Sequence, residues 1–162
     1  MASLGSWGYV LAARLGVAGA RAGDDPLRLA HRVRHLGDAY YYAGRLAAAD
    51  ACYVEALGIY RSHERSAPLD LANAVRSFAV LKDEIGADEE AEPLWQEAHD
   101  RYLSLNASAG VAESAARLGL LARRHGDVQR TRECLREAAA AAEASADPET
   151  LEYVRKVTSS GL

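Results

Sequence analysis

The chain has 162 residues, of which nearly half are apolar, a length and composition that fit one compact domain or one short helical array. A net charge of −4 argues against general affinity for nucleic acid or for an anionic membrane surface. No apolar stretch approaches the roughly 20 residues of a membrane span. From the charge and the apolar pattern together, we expect a cytoplasmic protein without nucleic-acid or membrane partners.

The first predicted element is a glycine-rich helix over residues 4–21, ahead of Pro26. Its apolar run, Trp7 to Ala13, has no basic residue before it and is interrupted by Arg14, which disfavours a signal peptide. Because glycine weakens an isolated helix, this segment must be held by packing against the helix that follows.

The stretch from Ala30 to Tyr60 predicts a helical hairpin. Apolar residues spaced by three and four positions mark one face of each helix, with Leu36 on the first and Tyr53 on the second. Gly44 lies between the two patterns, where a helix ends and the chain must reverse. A single hairpin cannot bury both of its faces, so a repeated unit is expected.

The hairpin recurs along the chain. Its turn glycine at position 44 reappears 42 residues later as Gly86 and a further 40 residues later as Gly126. The pattern predicts helices over residues 26–43, 46–62, 68–85, 88–104, 109–124 and 127–145, followed by a closing helix over residues 148–158. No segment shows the sustained alternation that predicts a strand.

The hairpin residues resemble a known repeat. Leu36-Gly37-x-x-Tyr40, followed by Gly44, Ala49, Tyr53 and Ala56, looks like the tetratricopeptide repeat (TPR), and residues 90–98 are similar to the longer repeats of kinesin light chains and their bacterial relatives. The resemblance covers residues 30–145. It implies an all-α fold, a right-handed α-α superhelix of about eight antiparallel helices. This would be one domain over residues 1–162, with repeats at 26–62, 68–104 and 109–145.

No sequence motif indicates catalysis, since GxSxG, P-loop and strand–GxGxxG–helix patterns are absent. His31, His35 and Asp38 share a helix face at a metal-like spacing, but no further ligand is placed to complete a site. Cys52 and Cys134 are isolated, and buried thiols are favoured over a disulfide or a metal site. We therefore expect neither an enzyme nor a bound metal or cofactor.

One segment is rich in arginine. A solvated face whose arginines form ion pairs with Glu133 and Glu137 is favoured there over a contact with nucleic acid. The arginines are Arg117, Arg123, Arg124, Arg130, Arg132 and Arg136.

The resemblance implies that the first helix of each hairpin lines a concave, ligand-binding side. Arginines, aromatic rings and hydrogen-bonding groups on such a surface suit a peptide backbone or carboxylate. The alternative is that these residues are only the solvated face of amphipathic helices. The implied site residues are His31, Arg34, His35, Asp38, Tyr41, Asn73, Arg76, Ser77, Val80, Asp83, Glu113, Arg117, Leu120 and Arg123.

One known ligand of the family, the acidic tail of chaperones, can be tested on the residues. Arg34 and Arg117 match the two outer basic positions of its carboxylate clamp. Asp38, Ser77 and Glu113 replace the asparagines and lysine that the clamp needs, and both acids would repel a terminal carboxylate. We predict no such binding.

The favoured function is a non-catalytic scaffold that binds a protein or peptide on the concave face. Two alternatives stay open. The chain could self-associate as a homodimer through its N-terminal helix, around Leu4, Trp7, Leu11 and Leu15. It could also be the peptide-sensing part of a bacterial regulatory system.

Overall fold

The structure is a computed structural model that describes the backbone of residues 4–63 and 66–159, with side chains from residue 7 onward in those ranges. Eight α-helices and no strand occur among these residues. The helices group into two compact units, Met1–Ile85 and Gly86–Leu162. The predicted all-α class and number of helices are therefore confirmed.

Every helix boundary lies within one residue of its predicted position. The first unit contains α1 (Leu4–Arg21), α2 (Pro26–Tyr42), α3 (Leu46–Ser62) and α4 (Pro68–Glu84). The second unit contains α5 (Asp88–Ser104), α6 (Ser108–Arg124), α7 (Val128–Ser145) and α8 (Pro148–Ser159).

The helix ends follow from local chemistry. Gly44, Gly86 and Gly126 have φ angles of 71°, 72° and 77°, the left-handed conformation that glycine adopts without a steric penalty just after a helix. At the start of α2, the Asp25 carboxylate accepts hydrogen bonds from the amides of residues 27 and 28. Asp127 accepts one from the amide of residue 130 before α7. These residues fix where the chain reverses before α2, α3, α5 and α7.

In the first unit, α1 packs on α2, α2 on α3, and α4 on α2 and α3. Ala49, Tyr53 and Leu81 are buried together. The absence of a side chain at Gly37 is required, because a β-carbon there would lie 2.6 Å from Cε1 of Tyr53. This close approach places the Tyr53 hydroxyl beside the polar face of α2.

In the second unit, α6 packs against α5 and α7, and α8 lies against α6 and α7. The shared core consists of small residues, including Ala112 and Ala138, with Val154 of α8 buried among them. Leu151 and Val157 of α8 pack on the same cluster. The last helix therefore covers the apolar face of the α6–α7 hairpin.

Candidate functional site

The polar face of α2 carries a connected cluster of side chains. The Asp38 carboxylate accepts a hydrogen bond of 2.9 Å from the hydroxyl of Tyr53 and lies 3.3 Å from both Arg34 and Nδ1 of His35. Arg34 also lies 3.0 Å from Nε2 of His35. Because a guanidinium can only donate, Nε2 accepts from Arg34 and the Nδ1–H of His35 donates to Asp38. The three predicted α2 residues are thus fixed by one another and by α3.

The cluster stabilises the ionised form of Asp38. Burial alone would raise the pKa of this carboxyl, but the hydrogen bonds from His35 and Tyr53 and the charge of Arg34 together outweigh burial and lower it. Burial, followed by the neighbouring Asp38 charge, raises the pKa of Tyr53, so its hydroxyl keeps the proton that it donates. The site therefore holds a carboxylate whose charge is already balanced by protein groups.

His31 extends this face toward solvent. Its ring meets the ring of His35 edge-on, with the centroids 4.5 Å apart. Burial, followed by the charges of His35 and Arg34, lowers the pKa of His31, which favours the neutral form of its ring. Nowhere in residues 4–63 and 66–159 do three or more His, Cys, Asp or Glu side chains lie where they could hold a metal ion.

The predicted residues of α4 are partly accessible. Ser77 is buried, at 8% exposure, and therefore offers little surface to a ligand. The other four predicted residues of α4 are half-buried: Asn73, Arg76, Val80 and Asp83. Tyr41 of α2 is half-buried as well.

In the second unit, the predicted face of α6 is dominated by Arg117. Its guanidinium carbon lies 5.7 Å from the ring centroid of Trp95 on α5 and 5.7 Å from that of Tyr153 on α8. Such a cation held over two aromatic faces is stabilised and also restrained in position. Glu113 and Leu120 are half-buried on the same helix, and Arg123 is exposed.

The partners of the arginine-rich segment differ from those predicted. Arg124 donates two hydrogen bonds, of 2.9 and 2.8 Å, to the carboxylate of Asp88, and Arg130 pairs with Glu92. Both acids belong to α5, so the ion pairs cross between helices. No local sequence signal marks pairs that are 36 and 38 residues apart.

The two acids that the sequence had suggested as partners make other contacts. Glu137 lies 3.1 Å from Nε2 of the buried His99, and Glu133 accepts a hydrogen bond from Gln129. The expected arginine pairs with Glu133 and Glu137 do not occur in the described part of the chain.

Helix α1 leaves a row of apolar side chains exposed. Trp7, Leu11 and Leu15, spaced four residues apart, are 53%, 59% and 66% exposed. Arg45 lies 5.6 Å from the centroid of the Trp7 ring. The side chain of Leu4, also expected on this face, lies outside the described residues. The opposite face of α1, which includes Val10 and Val17, is buried.

Comparison with known proteins relates the chain to others by structure. No family model and no curated protein matches the sequence. BtubC (BKLC) from P. vanneervenii is similar with a TM-score of 0.75 and 20% identity over 94% of this chain. Aspartyl phosphate phosphatase F from Bacillus subtilis is similar with a TM-score of 0.86 and 13% identity over 97% of it.

At these identities the similarity establishes the fold alone. The TPR-like helical-repeat architecture that the sequence predicted is confirmed. The chain spans 63% of the length of BtubC and 41% of that of the phosphatase. Separately, none of the described helices is long and apolar enough to cross a membrane.

Proposed function

We propose that the chain is a non-catalytic scaffold that binds a protein or an extended peptide. The polar faces of α2 and α4 in the first unit and of α6 in the second unit would contact this partner. We further propose that both units belong to one TPR-like solenoid domain that works in the bacterial cytoplasm, where the free thiols of Cys52 and Cys134 would stay reduced. Helical-repeat proteins commonly use such surfaces for binding.

The observation that carries the proposal is the hydrogen-bonded cluster of Arg34, His35, Asp38 and Tyr53. Groups that are fixed before binding lose little conformational entropy when a partner arrives, which favours affinity. Beside the cluster, the exposed His31 supplies a further side chain that a partner can reach. The half-buried Asn73 and Arg76 on α4 would add polar contacts to a peptide backbone.

Site-specific photo-cross-linking in the source cell tests this assignment. A benzophenone amino acid at Asn73 should cross-link to a partner, because this half-buried position lies on the proposed face. The matched control is the same amino acid at Gln96, an exposed residue of α5 outside that face. Equal cross-linking at both positions, or cross-linking at Gln96 alone, would refute the proposed face.

Self-association is a second candidate, which the exposed row on α1 favours. Trp7, Leu11 and Leu15 offer an apolar helix face on which a second copy could pack. Sedimentation of the wild-type chain should then show a dimer that dissociates on dilution. The Leu11→Glu/Leu15→Glu variant should be monomeric, and a monomeric wild type at all concentrations would exclude this candidate.

A third candidate, which the sequence leaves open, is the peptide-sensing part of a bacterial regulatory system; the Bacillus subtilis phosphatase is compared with this chain by fold only. No catalytic activity is transferred to this chain, since the two share 13% identity and the likeness is one of fold. Under this proposal a short peptide would protect amides of α2 and α4 from hydrogen exchange. The absence of protection by any peptide from the source culture would count against it.

A further inference from the structure

A cavity of about 500 Å³ opens at one end of the second unit. It is bounded by the last turn of α6, the N-terminal half of α7 and the C-terminal end of α8. Val128 and Leu135 supply apolar wall, while Arg123, Arg132 and Arg136 supply positive charge. The cavity therefore combines an apolar wall with several cations, which suits an amphipathic anion.

The wall of the cavity includes a position at which the third copy of the repeat differs from the first two. Leu135 occupies the repeat position that Tyr53 and Trp95 hold in the two preceding copies. Those aromatic side chains are 2% and 0% exposed, whereas the smaller Leu135 is half-buried and lines the cavity. At this repeat position a smaller, half-buried leucine therefore replaces a buried aromatic side chain, and it lines the cavity together with the exposed Val128.

Five of the six arginines in the arginine-rich segment fall into two groups in the structure. Arg124 and Arg130 pair with carboxylates of α5, and Arg117 lies between aromatic rings. The side chains of Arg132 and Arg136, by contrast, make no hydrogen bond or ion pair with another side chain among the described residues.

Those two arginines are one turn apart on α7, and Arg123 lies on the same cavity. Like charges at this spacing repel each other. No acidic residue is among the described residues that line the cavity, so a negatively charged ligand would relieve the repulsion.

We propose that this cavity binds an acidic peptide segment. An aliphatic or aromatic side chain of the segment packs on Val128 and Leu135, and its carboxylates pair with Arg132 and Arg136. Guanidinium groups bind carboxylates through two parallel hydrogen bonds, which gives geometric specificity as well as affinity. A nucleic-acid strand fits less well, because it requires an extended basic track, whereas here the charge is confined around an apolar cavity on a chain of net charge −4.

Fluorescence polarisation of the full chain with a defined probe tests the proposal. The probe is a fluorescein-labelled peptide with one leucine between glutamates in a glycine–serine background. Saturable binding is expected, and Arg132→Glu/Arg136→Glu should weaken it at least about tenfold. Both positions are exposed, so circular dichroism should show an unchanged fold.

The control variant is Arg28→Glu/Arg155→Glu, which changes the net charge equally at exposed positions outside the cavity. It should bind the probe within about twofold of the wild type. A probe with lysines in place of the glutamates should prefer Arg132→Glu/Arg136→Glu over the wild type, because the charge pairing is then restored in reverse.

Several results would overturn the proposal. Equal weakening by the control variant would show a net-charge effect without a site. Equally tight binding of a probe with serine in place of leucine would show that no apolar contact contributes to the affinity. Tighter, arginine-dependent binding of a single-stranded RNA oligonucleotide would assign the cavity to nucleic acid.

Discussion

Replacing Gly110 by alanine tests the tight packing of α6 on α5. A β-carbon at Gly110 would lie 2.4 to 2.7 Å from three ring atoms of Tyr102, far inside normal contact distance. One of these atoms is Cγ, at the root of a ring that is only 3% exposed, so the ring cannot swing clear. Such overpacking costs about 1–3 kcal/mol, and the higher helix propensity of alanine returns up to about 1 kcal/mol. We expect a net loss of about 1–2 kcal/mol in the free energy of unfolding.

Gly58→Ala is the matched control for this prediction. Gly58 lies within α3, is exposed, and has no neighbouring atom within 4 Å of the added β-carbon. Alanine there should therefore stabilise the chain by up to about 1 kcal/mol through helix propensity alone. The same chemical change is thus expected to have opposite signs at the two positions.

Thermal and urea denaturation followed by circular dichroism measure the contrast. The two variants should differ by about 1–3 kcal/mol, which corresponds to about 2–12 °C in Tm for a chain of this size. If Gly110→Ala proves as stable as Gly58→Ala, the close approach of α5 and α6 does not constrain the fold, and the reasoning is wrong.

Three further predictions concern ionisable groups. Isothermal calorimetry should detect no binding of an acidic chaperone tail that depends on its C-terminal carboxylate, since Arg34 is paired with Asp38 and Arg117 lies between two rings; tight, C-terminus-dependent binding would contradict this. Because the pKa of Asp38 is lower in the folded state than in the unfolded state, its carboxylate stabilises the folded state fully above the unfolded pKa, near 4. This stabilisation is lost as the pH falls through the folded-state pKa. Asp38→Asn should therefore reduce stability at pH 7 more than at pH 3, and an equal loss would contradict it. Burial raises the pKa of Cys52 to about 11, so a thiol reagent at pH 7 should modify the half-buried Cys134 first. The Cys52→Ala and Cys134→Ala variants separate the labelling rates of the two thiols, and faster labelling of Cys52 would refute the prediction.

The helix boundaries could be predicted because the residues that set them act locally. Glycine at position 44 and at its two repeats is in the left-handed conformation, and proline begins α2, α4 and α8. Asp25 caps α2 through its own side chain. Each signal depends on a few neighbouring residues and therefore needs no knowledge of the tertiary structure.

Gly110 shows where the repeat pattern gives no information. The corresponding positions in the two earlier copies are Arg28 and Asp70, so the repeat does not demand a glycine there. The requirement comes from the Tyr102 ring, which approaches this backbone in the second unit. A contact that belongs to one copy alone cannot be read from what the copies share.

The candidate sites depend on the same distinction. Whether an arginine is available to a ligand is decided by its tertiary partners: Arg124 is engaged by Asp88, 36 residues away, whereas Arg132 has no ion pair among the described residues. The two look equivalent in sequence, because both lie in one basic segment. The pair of Arg34 with Asp38, four residues apart on one helix, by contrast follows from local spacing. Residues that the repeats share build the fold, so the surfaces that can distinguish a partner must lie where this chain departs from the repeat, as it does at Leu135.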